Sequence, residues 1–478
     1  MRDDLDGLAS AGPEFLNRLE AALPGRVAAP TPAYLEEARG RFTGVASAIV
    51  RPHTADEVAR TVRLAAQARV GIVPYAGGTG LVGGQTAQGP AVPILLSVEK
   101  MDRVLEVNTQ DNVAVVEAGA ILANVHAAVE DKERLFPLWL ASQGSARIGG
   151  LLATNAGGVQ VLRYGSARDL CLGLEVVMAD GTLWHGLKRL RKDNTGYDLR
   201  HLMIGSEGTL GIITGACLKL SPKPVDIATA LVEVGSPAQA IALLNLLRDH
   251  LGETVSAFEL MHSQGLAFLA EHLPQIAQPF GNPPTWSALV EVGGGRGADM
   301  QTRLEQALVS GAEGGLVGDA LLAQSDSQRK TFWEIRENIP QANRKVGAVS
   351  NHDISLPVSA VPEFVARGGP AIAAIDPGLR INAFGHLGDG NLHYNVFPAP
   401  GRARAEYEAL RPAIKEAVHD LVHALGGSVS AEHGIGRMKV GDLQRYSDPA
   451  KLAAMRALKS ALDPLGILNP GALFGDEK

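Results

Sequence analysis

The chain has 478 residues, enough for two or three domains and a large core. An apolar fraction of 46% and a charged fraction of 20% are those of an ordinary globular protein, and a formal charge of −7 argues against a nucleic-acid partner, which selects a basic face. The only two cysteines, Cys171 and Cys217, lie in apolar runs with no CxxC, so both read as reduced core residues, not a disulfide.

The first residues, Met1-Arg2-Asp3-Asp4-Leu5-Asp6, are acidic with no apolar stretch behind them. They do not read as a secretory signal or a transit peptide, and no apolar run reaches the ~20 residues of a membrane helix. The expected location is cytoplasmic. Residues 1–41 read as an N-terminal helical arm punctuated by Pro24, Pro30 and Pro32. A short strand, Ser47-Ala48-Ile49-Val50, ends at Pro52. Thr54-Ala55-Asp56-Glu57 is a capping box, and Val58, Val62, Leu64 and Ala65 continue a helical stripe. Val70-Gly71-Ile72-Val73-Pro74, Ile94-Leu95-Leu96-Ser97 and Val113-Ala114-Val115-Val116-Glu117-Ala118 read as strands. This order predicts an α/β domain to about Lys219, closed by Pro222 and Pro224, which break helix and central strand alike. Beyond it, a strand around Ala228, Leu231 and Val234, a helix over 237–250, a strand over 285–292 and a helix over 298–308 predict an α+β domain. A helix over 449–462 and an Asn469-Pro470-Gly471 turn close the chain.

Three glycine-rich segments stand out in the first domain. Pro74-Tyr75-Ala76-Gly77-Gly78-Thr79-Gly80-Leu81-Val82-Gly83-Gly84 holds a GxGxxG pattern, but no helix can follow it, because Gly83-Gly84-Gln85-Thr86-Ala87-Gln88-Gly89-Pro90 runs straight into the next strand. A Rossmann site needs that helix. The remaining readings are an anion-binding nest of backbone N–H groups and a plain tight loop. The second segment runs from Ser142 through Gly144, Ile148, Gly149, Thr154 and Asn155 to Gly157 and Gly158, with small side chains that let a flat ligand approach the backbone. The third is Gly205-Ser206-Glu207-Gly208-Thr209-Leu210-Gly211-Ile212. Near the other end lie Phe384-Gly385-His386-Leu387-Gly388-Asp389-Gly390-Asn391-Leu392-His393-Tyr394-Asn395 and Ala431-Glu432-His433-Gly434-Ile435-Gly436. Together they offer two imidazoles, a carboxylate and a further His, a donor set for a divalent cation such as zinc. For each His taken alone, a hydrogen-bonded core or surface role is the alternative.

In this order the segments resemble the flavin-binding domain of the vanillyl-alcohol oxidase superfamily, and the histidine segments resemble its FAD-linked D-2-hydroxyacid dehydrogenases. The likeness runs from about Phe42 to Phe474. It implies an α+β fold: a two-subdomain FAD-binding domain of the vanillyl-alcohol oxidase (PCMH) type over 42–222, a substrate or cap domain over 223–425, and a C-terminal helical segment over 426–478 returning to the flavin. It implies that Pro74, Ala76, Gly77, Gly78, Thr79, Gly80 and Leu81 hold the pyrophosphate. Ser142, Gly144, Ile148, Gly149, Thr154, Asn155, Gly157 and Gly158 would touch flavin or ribose, Glu207 and Ile212 the adenosine half, and Asn469 the flavin ring. Thr79 stands where some relatives tether the flavin to a His, and the second loop has no Cys, so the FAD is expected to be non-covalent.

The resemblance also implies Zn²⁺ (or Mn²⁺) on His386, His393 and Glu432, with Asp389 a turn residue or a group behind the ligands. Hydride would pass from substrate C2 to flavin N5 while the ion polarises the hydroxyl and His433 takes its proton. Asn395 shares a strand face with His393 and would hydrogen-bond the substrate. Arg336, in Phe332-Trp333-Glu334-Ile335-Arg336-Glu337, would clamp the acid group, the alternative being a surface arginine paired with Glu337. The first substrate choice is D-2-hydroxyglutarate, oxidised to 2-oxoglutarate. Its dehydrogenases tend to carry a hydroxyl residue four after this Arg and a Lys two before the Asp of the following strand. Pro340 and Asn351 stand there instead, which keeps D-lactate or another monocarboxylic D-2-hydroxy acid as the alternative. A metal-dependent hydrolase is the remote rival. The expected partners are the small 2-hydroxy acid and an external electron acceptor such as electron-transfer flavoprotein or quinone, with a homodimer allowed and no transmembrane segment.

Overall fold

The computed structural model describes residues 7–475, so the acidic start read at Met1 to Asp6 lies outside the described residues. Two compact units form. One comprises the described parts of Met1–Gly157, Ser166–Lys223 and Glu432–Lys478, the other Gly158–Gly165 and Pro224–Ala431. The chain thus leaves the first unit for residues 158–165, inside the stretch expected to form one block, and returns to it at Glu432 instead of at 426.

The first unit is built on two sheets. Strands β1 (Val27–Ala28), β2 (Ala48–Val50), β3 (Ile72–Tyr75) and β4 (Ile94–Ser97) make a sheet of order β1-β2-β4-β3. β2, β4 and β3 run parallel, which requires a crossover. The helix Ala55–Ala68 supplies it and buries Val58, Thr61, Val62 and Ala65 on one stripe. Thr54 caps this helix by accepting from the Glu57 N–H. The expected reciprocal bond is absent: the Glu57 carboxylate accepts from the His53 N–H at 2.5 Å and pairs with Arg26 instead, so only half of the capping box forms. The second sheet joins β5 (Val104–Asn108), β6 (Val113–Glu117), β8 (Cys171–Val177), β9 (Leu183–Gly186) and β10 (Ile212–Lys219) in the antiparallel order β5-β6-β10-β8-β9. A short pair, β7 (Arg134–Leu135) with β11 (Ser221–Pro222), lies apart.

The second unit is one seven-stranded antiparallel sheet with helices. Its strands are β12 (Asp226–Val234), β13 (Val255–His262), β14 (Trp286–Gly294), β15 (Ala320–Leu322), β16 (Ser350–Ser355), β17 (Arg380–His386) and β18 (Asn391–Phe397), in the order β15-β12-β14-β13-β17-β18-β16. The long helix Asp326–Val346 is capped by Ser325 and turns Phe332, Ile335, Ile339 and Ala342 into a core with Phe384, Phe397, Phe268 and Leu269. Burying each such side chain contributes about 1.5–3 kcal/mol. Pro340 sits inside this helix and cannot donate to the Arg336 carbonyl four residues back. Among the described residues no helix is long and apolar enough to cross a membrane.

Candidate active site

In the first unit, strand β3 delivers the first glycine segment onto the second. A Cβ added at Gly77 would sit 2.3 Å from the Ser145 carbonyl oxygen and 3.0 Å from Ala146 Cα, so only a bare backbone fits there. Gly150 lies equally close to Ala76, and Gly149 to Ala118. Ile148–Ala153 is a short helix rather than an open loop. The N–H groups of residues 77–81 have no protein acceptor among the described residues, while Gln85 Nε2 holds the Gly80 carbonyl at 2.9 Å. Such a row of donors is a nest for an anion, and it fits the pyrophosphate of FAD. Further along, the Ser142 carbonyl accepts from Ser145 and Ala146, Thr154 Oγ1 turns back to the Gly150 carbonyl, and Asn155 Oδ1 accepts from Ser166 and Arg168. Gly158 belongs to the other unit.

The third segment ties the C-terminal segment to the same loops. The buried Glu207 carboxylate accepts from the N–H groups of Ile435 and Gly436, each at 2.7 Å. Burial pushes its carboxyl above the usual range, and these N–H groups with Arg437 and Lys439 pull the other way. Asn469 Nδ2 donates to the carbonyls of Gly84 and Glu207. Arg437, which the sequence reading missed, donates to the carbonyls of Gly83, Gly84 and Pro470 and to Asn469 Oδ1. Glu432 lies against Gly157: a Cβ there would be 2.6 Å from Glu432 Oε1. His433 follows it, partly buried. Pro74 packs over Gly208, and Ile212 opens β10 in the core.

In the second unit, residues opposite one another on antiparallel strands share a face. Glu259 stands opposite His386, Phe384 opposite His393, His393 opposite Asp353, and Asn395 opposite both Asn382 and Asn351. This polar row crosses β13, β17, β18 and β16. His386 and His393 each offer a ring nitrogen within 4.8 Å of the other, with ring centroids 5.7 Å apart. Between them the chain makes a single 3₁₀ turn, Leu387–Asp389, in which Asp389 Oδ1 accepts from the Asn391 N–H. Asp353 is buried, accepts from Asn391 Nδ2 at 3.0 Å and lies 3.8 Å from His393 Nδ1. Asn395 Oδ1 accepts from the His352 N–H.

Arg336 is buried, not the surface arginine of the alternative reading. Its Nε donates to Glu259 Oε2 at 2.7 Å, and its guanidinium carbon lies 4.8 Å from the Phe384 ring centroid. The other oxygen, Glu259 Oε1, is 2.6 Å from His386 Nδ1. Burial alone would raise the Glu259 carboxyl, but His386 and Arg336 hold it down at about 2. A carboxylate only accepts, so His386 carries a proton on Nδ1, toward Glu259. Glu259 was not singled out in the sequence. Its signal was there: a charged residue in the apolar strand run Phe258-Glu259-Leu260-Met261 is expensive unless paired.

The chain is similar to known proteins over nearly its whole length. The FAD binding domain family matches residues 46–186, and the C-terminal domain of FAD linked oxidases matches residues 223–473. Bovine mitochondrial D-2-hydroxyglutarate dehydrogenase is 39% identical over 467 residues, 95% of this chain and 82% of that protein. The D-2-hydroxyglutarate dehydrogenases of Xanthomonas citri pv. viticola and Stutzerimonas stutzeri are each 35% identical, covering 95% and 97% of this chain and 96% and 99% of theirs. Among solved structures, p-cresol methylhydroxylase with substrate bound superposes with a TM-score of 0.77 at 16% identity, over 98% of this chain and 99% of that one. Alkyldihydroxyacetonephosphate synthase does so with 0.73 at 19%, over 98% and 86%. These two show the vanillyl-alcohol oxidase type of fold. With both family models matched and sequence relatives over nearly its whole length, the chain belongs to the FAD-linked oxidase family, in the branch that holds the D-2-hydroxyglutarate dehydrogenases.

Proposed function

We propose that the protein is a dehydrogenase that oxidises the C2 hydroxyl of a D-2-hydroxy acid, with D-2-hydroxyglutarate as the first substrate and 2-oxoglutarate as its product. FAD, held by the glycine loops, would supply the hydride acceptor, with electrons leaving to an external acceptor such as electron-transfer flavoprotein or quinone. A Zn²⁺ or Mn²⁺ ion on His386, His393 and Glu432 supplies a Lewis acid for the hydroxyl. The N–H groups of residues 77–81 hold the pyrophosphate. Arg336 keeps Nη groups for the C1 carboxylate after its Nε is taken by Glu259. His433 takes the hydroxyl proton as the C2 hydride departs, and Asn395 orients the substrate.

The observation that carries this reading is the Glu259-centred face, on which Arg336 and His386 share one buried anion. Chain connectivity supports the placement of Glu432. The Ala431 N–H bonds to the Asp353 carbonyl at 3.2 Å, opposite His393, and the next residue lies against Gly157.

A second substrate reading, a monocarboxylic acid such as D-lactate, is favoured by two positions. Pro340, one turn beyond Arg336, offers neither hydroxyl nor N–H, and Asn351, opposite Asn395, is uncharged. Screening D- and L-2-hydroxy acids with an artificial dye acceptor decides between them. D-2-hydroxyglutarate is expected to give the highest kcat/KM, and turnover should fall on chelation and return with Zn²⁺ or Mn²⁺. Turnover unchanged after verified metal removal would sink the metal role, and a colourless protein would sink the whole reading.

A further inference from the structure

We propose that Glu259 is a positioning residue that couples ion affinity to recognition of the substrate carboxylate, an inference that rests on the function proposed above. Three observations carry it. First, Glu259 is fully buried, and each of its oxygens is committed to a group assigned to bind a ligand: Oε1 to His386 at 2.6 Å, Oε2 to Arg336 at 2.7 Å. Second, the two partners reach it from different elements. His386 stands opposite it across the β13–β17 ladder, while Arg336 descends from the helix Asp326–Val346 over Phe384. Third, the strand around it is apolar, and a buried anion serves stability less well than a packed apolar side chain of similar size. Burial therefore does not explain the carboxylate, whereas orientation does. The Nδ1 bond sets the tautomer and the ring plane that aim Nε2, and the Nε bond fixes the guanidinium so that its outer N–H edge is presented as one rigid fork.

A single anion thus serves both ligands, and its loss must show in both. The test uses FAD-loaded full-length protein and its Glu259→Gln and Arg336→Lys variants, each stripped of metal. Zn²⁺ affinity is measured by competition with a chromophoric chelator, and KM and kcat with D-2-hydroxyglutarate at saturating Zn²⁺. Glu259→Gln is expected to weaken Zn²⁺ binding about 10–100-fold. It should also raise KM about tenfold with a smaller change in kcat, whereas Arg336→Lys raises KM and leaves Zn²⁺ affinity within twofold. Zn²⁺ affinity within twofold of wild type in Glu259→Gln overturns the proposal, as does a change in Zn²⁺ affinity with KM unmoved. A wild-type protein that binds no Zn²⁺ overturns the metal reading itself, a distinguishable failure. If the variant does not fold, ¹⁵N-histidine spectra of the Zn²⁺-loaded wild type decide: an Nδ1–H tautomer at His386 supports the proposal, and an Nε2–H tautomer overturns it.

Discussion

Replacing Gly390 by alanine isolates the geometry between the two strand histidines. Gly390 closes the turn Leu387–Asp389 with φ +78°, and a Cβ there would lie 2.0 Å from the Leu356 carbonyl oxygen, where real contacts stay above 3.0 Å. Leu356 N–H also donates to the Gly390 carbonyl at 3.0 Å. Three costs add: about 1–2 kcal/mol for alanine in the left-handed region, about 1–3 kcal/mol for the forced displacement, and about 1 kcal/mol for the strained or broken hydrogen bond. Gly401 provides the control, because its φ is +75° and no atom lies within 4 Å of its Cβ position, so Gly401→Ala carries the first cost alone. The difference between the variants, about 2–4 kcal/mol, corresponds to roughly 4–16 °C in Tm for a unit of about 200 residues. Calorimetry on both variants measures it. Gly390→Ala should also bind Zn²⁺ more weakly, since the displaced segment starts the strand that carries His393. Melting temperatures within about 2 °C of each other would refute the reasoning.

Three further outcomes follow from the described contacts. Burial pushes the Cys171 thiol up to about 12 and the Cys217 thiol to about 11, so native protein should react with no equivalents of a thiol reagent and denatured protein with two; fast native labelling contradicts the buried placement. Glu207→Gln should cost about 1–2 kcal/mol at neutral pH, because one of the two N–H donors of residues 435 and 436 then faces an amide nitrogen. Burial raises the Glu207 carboxyl, so the folded state holds that proton more tightly than the unfolded chain, and wild type should lose stability relative to the Gln variant as pH rises from about 4.3 through the folded value; a pH-independent difference in Tm between pH 4 and 7 would count against it. Acid precipitation should leave the flavin in the supernatant, because Thr79 replaces any tethering His; colour retained in the pellet would show a covalent link.

Much of this was legible in the residues, for physical reasons. The glycine loop after β3 could be told from a Rossmann turn because Gly83, Gly84, Gly89 and Pro90 leave no room for a helix, and the chain there runs in turns to β4. The terminal helix Pro449–Leu462 was read with its bounds, and the structure shows Asp448 capping it with Pro449 in its first turn. His386 and His393 stood out because titratable groups flanked by glycine have few structural excuses, whereas Arg336 stood out through the family resemblance. Glu259 did not, since its meaning depends on two partners 77 and 127 residues away. Arg437 was invisible for the same reason, its acceptors being carbonyls brought near only by folding. The partners of Glu57 show the limit at short range: the motif was correct, yet Arg26 and the His53 N–H competed for the carboxylate and won.

The fragmentary course of the first unit sets a timetable for its birth. The N–H of Ile72 on its edge strand β3 donates to the Ile467 carbonyl, and Asn469 and Arg437 clasp the loop that follows, yet the ribosome must first thread the whole insertion Pro224–Ala431. At about 5–20 residues per second that delay is on the order of ten to forty seconds. During it the nascent glycine loops lack the contacts that Arg437 and Asn469 later make with them.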